Sequence, residues 1–197
     1  MPQTVYYPEP SITRFLFASK PMAVVWGIAR VYLGWSWFAA GWGKVTSPAW
    51  VGEGAGTAVS GYLQGALARA AADPPSVPGW YAWLIERLFL PNAALMSYVV
   101  AYGEVLVGLA LIAGFLVGFS AFFGGFMNVS FLLAGTLSTN PEMFVLATWL
   151  VLAWRVGGYY GLDYWVLPRI GAPRGPDFDR SRASAPPSDP DRSRRAP

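Results

Sequence analysis

The sequence predicts an all-α, polytopic membrane protein: a four-transmembrane-helix bundle with short interfacial helices in its first outer loop. Three observations lead there. Only 13% of the 197 residues are charged, against about 25% in soluble domains. Two apolar runs, 93–116 and 119–137, follow one another across the hinge Gly114-Phe-Leu-Val-Gly118, and runs of that length read as spans. In the first run sits Glu104, with no charged neighbour between Arg87 and Glu142. A carboxylate at mid-span costs about 2.5–3.5 kcal/mol on insertion scales, so it needs a partner or a role. Ser97, Ala101, Gly108 and Leu111 lie at helical offsets from Glu104, and these mostly small residues place it on an inward, closely packed face.

The elements follow in order. Residues 1–20 form a polar and aromatic N-terminal segment in which Ile12–Phe17 can lie on the membrane surface, with no cleavable signal peptide expected. The first span is expected over 21–43, opened by Pro21. Gly27, Gly34 and Gly41 recur every seven residues, with Arg30 and Trp37 between them, as one close-packing stripe. Arg30 lies about 14 Å along the helix from Pro21, near mid-bilayer, and Trp42 and Lys44 mark the far interface. The connection 44–92 is too long for an idle loop. It reads as a turn at 52–56, a helix over 58–71, a break at 73–78 and an amphipathic helix over 79–90, after which Asn92 is placed to cap the second span.

The second span is expected over 93–116 and the third over 119–138, with Asn128 near its centre beside Ala121, Gly124, Gly125 and Gly135. Thr139-Asn-Pro-Glu142 reads as the start of the fourth, over 141–158. It ends near Arg155, which is expected to snorkel. Asp163 is expected to cap a short interfacial turn. Residues 169–197 are a basic, disordered tail by composition. Seven Arg against four Asp in that tail account for the whole net charge of +3, which points to membrane orientation and not to nucleic acid. Nine basic residues on the terminal segments against three on the long connection put both termini in the cytoplasm.

The chain has no cysteine and no histidine. That excludes a dithiol centre, bis-His haem ligation and His-based metal sites within this chain. Helix directions bring Arg30, Glu104 and Asn128 to similar depth, and an Arg30–Glu104 ion pair with Asn128 as third partner is the economical expectation. Such a pair fixes helix order in one reading. In the other it serves a proton relay or a polar headgroup site, with a quinone as the leading ligand, Arg30, Trp37, Tyr102 and Glu104 around it and Glu104 and Arg30 as the catalytic candidates. Asn128, Arg155, Asp163 and Lys44 are expected as structural polar residues. The outer aromatics Trp42, Trp80, Trp83 and Trp165 suit interfacial belts.

Taken together, Arg30-Val-Tyr-Leu-Gly-Trp-Ser-Trp-Phe-Ala-Ala-Gly-Trp-Gly-Lys44, Gly103-Glu-Val-Leu-Val-Gly108 and Gly157-Gly-Tyr-Tyr-Gly-Leu-Asp163 resemble the DoxX/DoxD family over residues 21–168. The resemblance implies a four-helix membrane domain. It also implies a link to DoxD, the membrane subunit of thiosulfate:quinone oxidoreductase, which works with a second subunit. Arg30, Lys44, Glu104 and Asp163 are the positions matching the family's polar motif residues. The resulting expectation is an inner-membrane subunit of a prokaryote, surrounded by lipid and joined by other redox subunits. It carries no tightly bound cofactor of its own, and quinone is the candidate ligand. The alternative is a non-catalytic assembly subunit of a larger electron-transfer complex. A small-solute channel ranks third, because the chain has no internal repeat and few bundle-facing charges.

Overall fold

The computed structural model describes residues 10–172, so residues 1–9 and the tail from 173 onward, with the expectations placed on them, lie outside the described residues. The described residues are all-helical, with no strand. A short helix α1 (Ser11–Ala18) leads into α2 (Lys20–Val45). The long connection carries α3 (Thr57–Ala70) and α4 (Gly79–Leu84), the latter continued by a π-helical turn Ile85–Phe89. Then come α5 (Ala93–Ala113), α6 (Val117–Leu133) and α7 (Asn140–Leu152). The expected fourth span breaks at Ala153. It resumes as α8 (Trp154–Gly157), and α9 (Asp163–Arg169) closes the described chain. By length and composition α5 can cross a membrane, while α6 and α7 are apolar but shorter.

The helices α2, α5, α6 and α7 form the central bundle, with α2 lying along α5 and α6 along α7. Small residues set the first pairing. A Cβ at Gly34 would lie 2.9 Å from Gly108 O, and one at Gly41 would lie 2.6 Å from Val105 N. Backbones this close leave no room for a side chain. Gly27 does not share this role: nothing lies within 4 Å of its Cβ position. The close-packing stripe thus covers the second half of α2 only, because α5 ends beside Arg30.

The core between the four helices is built on Leu33, Trp37, Val107, Leu111, Val117 and Leu150. A second core lies under the long connection, where Val59, Leu63, Tyr81 and Ile85 pack against Ala93 and Ala134. The outer helices are tied down by hydrogen bonds. Arg69 Nε and Nη2 donate to Ala134 O (3.2 and 2.9 Å), and Tyr81 Oη donates to Ser130 O (2.9 Å). The Arg69 pair satisfies the Ala134 carbonyl at the end of α6, a position beyond the helical ladder, while Ser130 O accepts from Tyr81 in addition to its helical donor Ala134 N (3.1 Å). Asn92 does not cap α5; its amide donates back to Leu88 O at 2.8 Å. The outward faces carry Phe119, Phe122 and Phe126, with Trp35, Trp42, Trp80 and Trp83 exposed as well.

Candidate functional site: a charged cavity at the end of α2

The inward face of α5 is as its periodicity requires: Ser97, Ala101, Glu104, Gly108 and Leu111 are all buried. The partner of Glu104 differs from expectation. Lys44 Nζ donates to Glu104 Oε2 at 2.5 Å, with the lysine side chain 22% exposed and the glutamate 2%. Arg30 and Lys44 are fourteen residues apart on one helix, which separates them by about 21 Å. The antiparallel register fixed by Gly34 and Gly41 puts Glu104 beside Gly41, so the end of α2 supplies the cation and Arg30 is out of reach. Lys44 therefore turns inward instead of marking an interface. Its ammonium also lies 5.2 Å from the centroid of the Trp50 ring, a cation–π distance.

This pair lines a cavity of about 430 Å³, within the range of small-ligand sites. Trp37, Trp50, Phe131 and Met143 give it apolar walls. Ser36, Thr136, Ser138, Thr139 and Asn140 add hydroxyl and amide groups, most of them from the α6–α7 turn. Ser138 sits at φ +43, a left-handed conformation that costs a non-glycine residue free energy and recurs at ligand sites. Tyr62 closes one side and shares a 3.0 Å hydrogen bond with Thr136 Oγ1. Burial pushes the Tyr62 phenol above its ordinary range, against the smaller opposing effects of Thr136 and Arg69. It therefore stays protonated and able to donate.

Of the residues expected around a headgroup, the cavity brings together Trp37 and Glu104, with Lys44 added. Tyr102 does not join them. It is 44% exposed and stacks on Tyr98 with ring centroids 6.3 Å apart. Asn128 is fully buried in α6 but outside the cavity lining, and neither of its amide atoms has a hydrogen-bond partner. The Trp37 indole N–H is likewise unpaired, and it lies where a Cβ on Gly124 would come within 2.9 Å. No sequence signal pointed to Trp50, Tyr62 or Thr136. They lie on a loop, an outer helix and a turn whose positions depend on the tertiary fold.

Arg30 belongs to a separate knot at the other end of the bundle. Its guanidinium packs into the gap left by Gly114 and Gly161, where any Cβ would overlap it. Asp163 is the acidic group that acts on it electrostatically. The Asp163 carboxylate accepts from Leu116 N (2.6 Å) and Val117 N (2.9 Å). It thus caps α6 from a distance and does not cap its own turn as expected. Burial pushes the Asp163 carboxyl up, while these two N–H donors and Arg30 pull it down. The backbone follows the same path, with Leu162 N donating to Ala113 O and Asp163 N to Gly114 O. The knot joins the end of α5 to the start of α6. Arg155 is half-buried, with its guanidinium 5.8 Å from the Trp154 ring centroid.

The DoxX family model matches residues 25–137, more than half of the chain. The chain belongs to the DoxX family. DoxX proteins are membrane proteins, in keeping with the apolar α5 and the exposed aromatic faces. Both Lys44 and Glu104 fall inside the match, whereas the segment containing Asp163 lies beyond it. No curated protein and no solved structure matches the chain. Among the described residues there is no cluster of His, Cys, Asp or Glu able to hold a metal ion.

Proposed function

We propose that this DoxX protein is a multi-pass inner-membrane subunit of a quinone-linked oxidoreductase, and that the Lys44–Glu104 cavity receives the quinone headgroup. In this reading α2, α5, α6 and α7 cross the bilayer, with both termini cytoplasmic. The observation that carries it is a buried carboxylate–ammonium pair opening into a cavity of about 430 Å³ with aromatic walls. A quinone ring needs flat apolar walls, a donor for a carbonyl oxygen and a group that exchanges a proton. Trp37 and Trp50 supply the walls. Lys44 Nζ and the Tyr62 hydroxyl supply donors. Lys44 Nζ carries the exchangeable proton, and Glu104 Oε2, which accepts from it, orients the ammonium. The quinone itself accepts two electrons, which come from a partner subunit carrying its own cofactor, and two protons, which Lys44 passes on and takes up again from the water at its exposed side. Thiosulfate as the donor is supported by family resemblance alone, and the chain has no thiol to handle sulfur.

The test is binding of a water-soluble short-chain quinone to the purified protein in nanodiscs, with Glu104→Gln and Lys44→Met beside the wild type. Saturable binding that both variants weaken while the fold persists supports the headgroup site. If the wild type binds no quinone, the Lys44–Glu104 pair is a clamp between α2 and α5. The chain is then a non-catalytic assembly subunit.

A further inference from the structure

The charged cavity has an apolar neighbour. A second cavity of about 180 Å³ lies between the outer helices and the bundle. Val59 and Leu63 of α3, Met96 and Val100 of α5, and Phe126 and Met127 of α6 line it. The polar atoms that reach its wall are already engaged. Tyr81 Oη donates to Ser130 O, and Ser130 Oγ donates to Phe126 O at 3.0 Å. Nothing in this chamber recognises a polar ligand, and apolar cavities of this kind exclude water. Trp50, Tyr62 and Phe131 line both cavities, so the polar and apolar chambers share one wall.

We propose that the ligand of the charged cavity is a quinone with a hydrocarbon chain, and that the apolar chamber holds the chain's first segment. This rests on the headgroup reading given above. The size fits a short segment: an apolar cavity of about 150 Å³ takes up benzene, so this one holds about six carbons. The rest of the chain has an exit. Val99 and Phe126 line the chamber and are 54% and 61% exposed on the outer faces of α5 and α6. The outer helices α3 and α4 then form one side of a chain subsite, which gives the long connection a function beyond covering the bundle.

Two photoreactive quinone analogues test this on the full chain in nanodiscs, one carrying the reactive group on the ring and one on the first chain segment. The expected result is ring adducts at Trp50 or Met143 and chain adducts at Met96, Val100 or Met127, both displaced by excess unlabelled quinone. Val100→Trp or Met96→Trp fills the chamber. Each should abolish the chain adducts and keep the ring adducts, which also shows that the variant is folded. Ring adducts in the charged cavity with chain adducts only on outward residues such as Ile28 or Leu106 would overturn the chain subsite and leave the headgroup reading standing. Chain adducts in the chamber that excess quinone does not displace would show non-specific partitioning of the chain and also overturn it. Absence of ring adducts in the charged cavity removes the headgroup reading and this inference with it.

Discussion

Removing the two partners of the Lys44–Glu104 pair should have unequal costs. Lys44→Met leaves the Glu104 carboxylate, 2% exposed, without its cation. Stripping one partner from a buried pair costs about 3–5 kcal/mol. Lys44 lies at the cavity mouth with 22% of its side chain exposed, so some water reaches the vacated space and the cost falls at the low end, about 3 kcal/mol. Glu104→Gln is milder. It keeps an acceptor of the same shape, and the ammonium keeps both solvent and the face of Trp50. The loss is then an ion pair reduced to a hydrogen bond from the ammonium to a neutral amide oxygen, about 1 kcal/mol. The double variant Lys44→Met/Glu104→Gln should cost less than the two single losses added, with a coupling of about 0.5–3 kcal/mol. Reversible denaturant unfolding of all four proteins in one detergent measures the cycle. Equal costs for the two single variants, or strict additivity, would refute the pairing and the asymmetric burial behind it.

The remaining predictions concern packing and caps. Gly34→Ala and Gly108→Ala should loosen the α2–α5 contact by about 1–3 kcal/mol through overpacking. Gly27→Ala, with open space around it, should stabilise by about 0.5–1 kcal/mol, and thermal unfolding of the three separates these signs. Gly114→Ala should destabilise by about 1–2 kcal/mol from its φ of +70 alone, and further because its Cβ meets the Arg30 guanidinium; Arg30→Ala combined with it should recover part of that loss. Asp163→Ala removes both acceptors at the start of α6 and should cost about 0.5–2 kcal/mol, read as faster amide exchange at Leu116 and Val117. Arg69→Met should cost about 1.5–3 kcal/mol and raise proteolysis of the α3–α4 segment.

Much of the architecture was legible in the residues. The long uncharged runs located α5 and α6 to within about five residues, because such a stretch has few ways to satisfy its backbone except as a helix, and Pro21 with the glycine stripe located α2. The break in the fourth run at Ala153 was not legible. No proline or glycine marks it, and it follows from how Trp154 and Val156 pack against α6 and α2. The inward face of Glu104 could be read from spacing, since a 3.6-residue period aligns it with Ser97, Ala101, Gly108 and Leu111 whatever lies opposite.

The sequence by itself determined where α2, α5 and α6 lie to within about five residues, which face of α5 is buried, and that a carboxylate on that face needs a cation. Those follow from local periodicity and from the cost of an unpaired charge in an apolar setting. Only the tertiary structure decided which cation answers. Arg30, Lys44 and Glu104 all stand on helices, and two helices can slide past one another by whole turns without changing either pattern. The glycine contacts between α2 and α5 fix that register. They carry Lys44 to Glu104, leave Arg30 beside Gly114 with Asp163, and place Trp50 and Tyr62, distant in sequence, around the same cavity.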